Sequence, residues 1–141
     1  MIVLDTDHLS FLQHPGSPEA VALVNKLQQT TEDAVFTTIV SLEEQLRSWL
    51  NVIGRYRDPS QQVAYYPRLR EFVRFFANWK IADFDLVAAG EFQRLRSLGV
   101  RIGNSDLKIA AIAITRGATL LSRNLRDFEK VPGLAVQDWS Q

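Results

Sequence analysis

The chain predicts an α/β fold, three layers deep, with helices on both faces of a central parallel sheet of four to five strands. Two patterns carry that expectation. Short apolar runs rich in β-branched residues alternate with longer segments of helical period. The runs are continuously apolar rather than alternating, as strands buried on both faces are. At 141 residues the chain has the length of one domain. Residues 1–141 are read as a single unit, with no internal repeat, linker or low-complexity tract.

The elements follow in order. Ile2-Val3-Leu4, stopped by Asp5, reads as a buried first strand. Ala20, Leu23, Val24 and Leu27 carry helical spacing over 17–30, with Pro18 suited to a first turn. Residues 34–40 (AVFTTIV) are β-branched and read as the second strand. Leu42, Leu46, Trp49, Leu50 and Ile53 then mark an amphipathic helix ending near Gly54. After the turn signal Asp58-Pro59-Ser60, Val63, Tyr66, Leu69, Phe72, Val73 and Phe76 mark another helix, which Pro67 would kink. A short strand is expected within 79–84. A helix over 85–98 closes at Gly99. Another, capped by Asn104 or Ser105, runs to about Arg116 with Gly117 after it. Residues 119–122 give a fourth strand and 134–136, after Pro132-Gly133, a fifth.

Composition excludes several classes. No cysteine means no disulfide framework and no Cys-ligated zinc, and His8 and His14 are too few for an all-His metal site. No apolar run approaches the roughly 20 residues of a membrane span. The start, interrupted by Asp5 and Asp7, does not resemble a signal peptide. A cytoplasmic protein with no membrane partner is expected. Sixteen basic and sixteen acidic residues give zero net charge. That zero hides segregation: residues 1–44 carry seven acids and one base, residues 45–80 seven bases and two acids. Segregated charge speaks of fields and partners rather than fold.

In parallel α/β sheets, ligands bind beyond the carboxyl ends of the strands. Acids cluster there: Asp5 directly after the first strand, Glu43 and Glu44 after the second, Asp106 opening the helix before the fourth, and Asn124 and Asp127 after the fourth. Converging carboxylates repel unless a cation or proton intervenes. The hard cations that suit them are Mg²⁺ and Mn²⁺, which serve phosphoryl chemistry. Each acid also has a plain structural use. Asp7 would N-cap the turn over 8–12, and Ser41-x-x-Glu44 matches a capping box. Asp106 complements a helix dipole and Asp127 would N-cap a last short turn. Asp5 is the hardest to set aside, because a carboxylate at the end of a buried strand is costly.

These residues resemble the PIN-domain proteins, especially VapC-type toxins of bacterial toxin–antitoxin systems. The resemblance rests on Ile2 to Ser10 (IVLDTDHLS), Ser41-Leu42-Glu43-Glu44, Ile102 to Ala111 (IGNSDLKIAA) and Ala118 to Phe128 (ATLLSRNLRDF), with Val131 to Leu134 and Trp139 in the tail. It spans the whole chain in the family's motif order and implies a PIN-like α/β/α fold. It further implies a metal-dependent endoribonuclease with Asp5, Glu44, Asp106 and Asp127 as ligands of Mg²⁺ or Mn²⁺, and Asn124 positioning water or Asp127. Glu43 is the alternative to Glu44, which is preferred because it keeps register with Ser41. Where the family often has Thr, this chain has Ser122. The implied partners are an RNA substrate, a cognate antitoxin protein and a second copy in a homodimer.

Arg47, Arg68, Arg70 and Arg74 become candidate contacts for RNA phosphates or for the partner, with Tyr65, Tyr66 and Trp79 placed to stack on bases. Two other readings stay open. Asp5-Thr6-Asp7 after a strand also fits a haloacid-dehalogenase-like phosphatase with Asp5 as nucleophile, although no well-placed lysine or later paired-Asp motif follows. A catalytically silent PIN module that binds RNA or a partner is the other.

Overall fold

The computed structural model describes all 141 residues. Five parallel strands form one sheet in the order β3-β2-β1-β4-β5. They are β1 (Ile2–Leu4), β2 (Val35–Thr38), β3 (Ile81–Ala82), β4 (Thr119–Leu121) and β5 (Ala135–Gln137). Eight helices connect them: α1 (Thr6–Gln13), α2 (Pro18–Leu27), α3 (Ile39–Gly54), α4 (Pro59–Gln62), α5 (Tyr66–Ala77), α6 (Leu86–Ser97), α7 (Asn104–Thr115) and α8 (Leu125–Phe128). No helix is long and apolar enough to cross a membrane.

Consecutive residues of the central strands enter opposite layers, which is why these strands read as continuously apolar. Val3 and Leu120 pack into the larger core with Phe92 and Leu95 of α6 and Ile109 and Ile112 of α7. Leu4 and Leu121 pack into the smaller one with Leu9, Leu23, Phe72 and Phe76 from α1, α2 and α5. The register aligns Ile2 with both Val35 and Thr119, so β1, β2 and β4 end nearly level. Strand order reverses between β1 and β4, and the crevice beyond their carboxyl ends is the topological switch point of such a sheet.

Several local expectations are corrected. β2 stops at Thr38, because Thr38 caps α3 by accepting the Ser41 N–H at 3.0 Å. Ile39 and Val40 are therefore helical despite their β-branching, and tertiary context overrides propensity. With the cap at Thr38, the Ser41-x-x-Glu44 capping box does not form. Pro67 sits in the first turn of α5, where its missing N–H costs nothing, so it starts the helix instead of kinking it. Gly103 precedes α7 without a side-chain cap, and Asn104 instead accepts a hydrogen bond from Arg96 at 3.0 Å.

Phe128 is fully buried in the larger core and is the last residue of α8, immediately after Asp127. Phe128→Ala is expected to cost about 3–5 kcal/mol by cavity formation. A loss of less than about 1 kcal/mol in urea denaturation would contradict this packing.

Candidate active site

The acids meet at the switch point, linked by hydroxyls and one amide. Asp5 caps α1 directly after β1; its Oδ1 accepts the Thr6 N–H at 2.7 Å. Its Oδ2 accepts the Ser122 hydroxyl at 2.8 Å, which bridges the carboxyl ends of β1 and β4. Ser122 Oγ in turn accepts the Asn124 N–H at 3.0 Å. The Asn124 side-chain amide donates to Asp106 Oδ2 at 3.3 Å and to Asp127 Oδ2 at 3.2 Å. Glu44, one and a half turns into α3, accepts from the Thr6 hydroxyl at 3.4 Å. Glu43 turns outward and takes Arg47 at 2.9 Å. Glu44 and Glu43 thus separate physically, one toward Asp106 and one toward solvent.

Electrostatics record the crowding. Burial, then the charge of Asp7, push the Asp5 carboxyl up to about 7. Burial and the Asp106 charge raise Glu44. Burial and the charges of Asp127 and Asp7 raise Asp106. Asp127 is held low by the Asn124 amide and by Lys130. Three neighbouring carboxyls raised together describe a pocket of excess negative charge that a cation would relieve.

Two of the predicted caps are absent. Asp127 lies inside α8, whose N-cap is Asn124. Asp7 lies in the first turn of α1, whose cap is Asp5, and points into the pocket. There its Oδ2 accepts the Arg123 N–H at 2.9 Å, and its Oδ1 lies 2.8 Å from Nδ1 of the fully buried His8. Sequence reasoning favours a structural cap for Asp7 and gives it an acid/base role only in the phosphatase alternative. The Asp-x-Asp spacing was the signal that it shares the pocket.

The donor set is all oxygen, which suits Mg²⁺ or Mn²⁺ and excludes the soft-ligand chemistry of zinc–thiolate sites. No three acidic or histidine side chains are drawn close enough to hold one ion by themselves. The residues fit an ion that keeps part of its water shell, as Mg²⁺ does.

The basic residues sort differently from the expected set. Arg47 is paired with Glu43, and Arg74 with Glu71 at 2.8 Å. The Arg68 guanidinium stands 5.6 Å from the Tyr65 ring centre, and Arg70 is exposed without a carboxylate partner. Trp79 packs on the smaller core and lies with Val35 and Lys80 at the amino ends of β2 and β3, on the opposite edge from the acids. An open groove of about 590 Å³ runs from Asp127 past Asn104 and Gly103 to Arg96 and Arg101. These two arginines share the groove with Asp127, and neither periodicity nor motif singles them out.

Residues 2–134 match the family model described as PIN domain. Ribonuclease VapC2 of Rickettsia felis is 34% identical over 71 residues, 48% of this chain and 53% of that protein. The tRNA(fMet)-specific endonuclease VapC of Salmonella typhimurium is 33% identical over 69 residues, 46% of this chain and 52% of that protein. The matched stretch spans about half the length of these curated relatives. Among solved structures, VapBC-1 from nontypeable Haemophilus influenzae is similar at a TM-score of 0.74 with 18% identity, covering 100% of both chains. VapBC2 from Rickettsia felis, bound to a DNA fragment from its promoter, is similar at 0.69 with 23% identity and 99% coverage of both. At these identities the structural likeness speaks for the fold.

Proposed function

The chain belongs to the PIN-domain family, and from that premise we propose that it is a metal-dependent endoribonuclease, the cytoplasmic toxin of a toxin–antitoxin pair. The observation that carries the reading is the bridge from Ser122 to Asp5 across the ends of β1 and β4, with Asp106 and Asp127 tied to the same loop through Asn124. Four acids from distant parts of the chain share one crevice. Family membership leaves the phosphatase reading without support.

Asp5, Glu44, Asp106 and Asp127 would hold Mg²⁺ or Mn²⁺, in part through water. When bound, the ion supplies Lewis-acid activation of water and offsets charge developing on the phosphate and the leaving oxygen. The chain's own residues do the positioning. Ser122 orients Asp5 through its single hydroxyl hydrogen, and Thr6 orients Glu44. Asn124 holds Asp106 and Asp127 apart from each other while donating to both. Cleavage leaves 5′-phosphate and 3′-hydroxyl ends.

Arg68 and Arg70 hold RNA phosphates, since backbone contacts supply most non-specific affinity. Arg47 and Arg74 contribute less because each is already paired. Replacing Arg68 and Arg70 together with Gln is expected to reduce the slope of log affinity against log salt by about 1.4, two phosphates' worth for a single strand. The same pair of changes at Arg47 and Arg74 is expected to move it less. Filter binding across a salt series reads this, and equal effects from both pairs would contradict the assignment. A flexible segment of a cognate antitoxin, reaching these helices and the acids, would silence the enzyme, and a homodimer is its working unit. Co-purification with the product of the adjoining reading frame tests the partner.

A further inference from the structure

His8 is fully buried yet uses both ring nitrogens, and the proposed reaction does not involve it. Its Nε2 accepts the Trp139 N–H at 3.1 Å, from the other end of the chain. Asp138 Oδ1 lies 3.4 Å from Nε2, but it already accepts the Ser140 N–H at 2.8 Å and the Ser140 hydroxyl at 2.6 Å. An Nε2 that accepts leaves the ring hydrogen on Nδ1. That hydrogen points at Asp7 Oδ1, 2.8 Å away. Asp7 Oδ2 accepts the Arg123 N–H at 2.9 Å and lies 3.3 Å from the Ser122 hydroxyl, so it meets the Ser122–Asn124 turn that carries the bonds to Asp5, Asp106 and Asp127.

The tail is held at other points as well, and the Gln137 carbonyl of its strand accepts the Ser122 N–H at 3.0 Å. β5 is an edge strand, paired only with β4, and two of its three residues are exposed. Beyond it, Trp139 packs on the smaller core, Ser140 is buried, and Gln141 accepts from Lys26 at 2.7 Å.

We infer that His8 is a positioning residue that makes the C-terminal segment 138–140 part of the active-site wall. Trp139 sets the tautomer of His8, His8 orients Asp7, and Asp7 anchors the turn that arranges the metal-holding acids. This rests on the metal reading above. Removing outer partners of a metal site commonly lowers metal affinity 10–100-fold.

The two arms separate by substitution. His8→Gln places an amide near the Nε2 position, keeping an acceptor for Trp139 and losing the donor to Asp7. His8→Asn places one near Nδ1 and does the reverse. The readouts are the Mn²⁺ concentration giving half of the maximal thermal shift, and the rate at which carboxypeptidase releases the last residues. For His8→Gln the Mn²⁺ midpoint is expected to rise about tenfold with the tail still protected. For His8→Asn the tail is expected to be released faster, with the smaller change in midpoint. A midpoint equal to wild type in His8→Gln, whatever its Tm, would overturn the inference. Should both His8 variants fail to fold, Trp139→Pro removes the N–H together with the indole, and Trp139→Ala removes the indole while keeping the N–H. A midpoint higher in Trp139→Pro than in Trp139→Ala supports the relay, and equal midpoints overturn it. Wild-type protein that Mn²⁺ does not stabilise would instead overturn the metal reading on which the inference stands.

Discussion

Asp5→Asn is expected to lower RNA cleavage by about 10²–10³-fold while making the metal-free protein more stable at neutral pH. The two effects share one cause. Asp5 sits near 7 in the folded chain, against an ordinary value of 3.8, because it is buried beside Asp7 and Asp106. The folded, metal-free chain therefore retains a proton that the unfolded chain releases. A folded value above the unfolded one means that stability falls as pH rises between the two, and stays lower above the folded value. For Asp5 that loss is on the order of 4 kcal/mol. Asn carries no charge at any pH and escapes it. Its amide oxygen can still accept the Thr6 N–H. Urea denaturation in EDTA at pH 7.5 would show a higher midpoint for the variant, and a lower one would contradict the account of Asp5. The site stores instability that an ion would relieve.

The second large effect is the pH dependence of that relief. Metal-free protein is expected to lose stability as pH rises from 3.8 to about 7, as unfolding releases the proton that folded Asp5 retains, and the raised Glu44 and Asp106 add in the same sense. The lowered Asp127 has the opposite sign, but its window lies below 3.8 and does not overlap. Ligation needs the charged carboxylates, so ion binding strengthens over the same interval. At a hundredfold excess over Kd, an ion bound only by the folded state adds about 2.7 kcal/mol. The thermal shift produced by Mn²⁺ is therefore expected to be larger at pH 7.5 than at pH 5.5. Equal shifts at both pH values would mean that the raised carboxyls do not ligate.

Much of the fold and of the candidate site is legible in the sequence. The strands were visible because each is apolar on two faces, as Val3 and Leu4 illustrate by entering separate cores. The candidate acids follow from the rule that ligands sit beyond strand carboxyl ends. Boundaries were less legible: Ile39 and Val40 look like strand, and only the Thr38 cap makes them helix. The roles of Asp7 and His8 depend on Arg123 and Trp139, more than a hundred residues away, and local pattern carries no such information. The pairing of Arg47 with Glu43 and of Arg74 with Glu71 was in the sequence as helical spacing, and it redirects the RNA contacts toward Arg68 and Arg70.

The zero net charge also takes on a physical meaning. A group of acids gathers in the pocket, and bases are concentrated along residues 45–80. An ion in the pocket would cancel part of its negative field and leave a more positive face for RNA. The most direct test is cleavage of an end-labelled RNA by the wild-type protein in Mg²⁺, in EDTA, and after Mg²⁺ is restored. The account predicts cleavage in the first and third only, with 5′-phosphate products. Cleavage that persists in EDTA would contradict it.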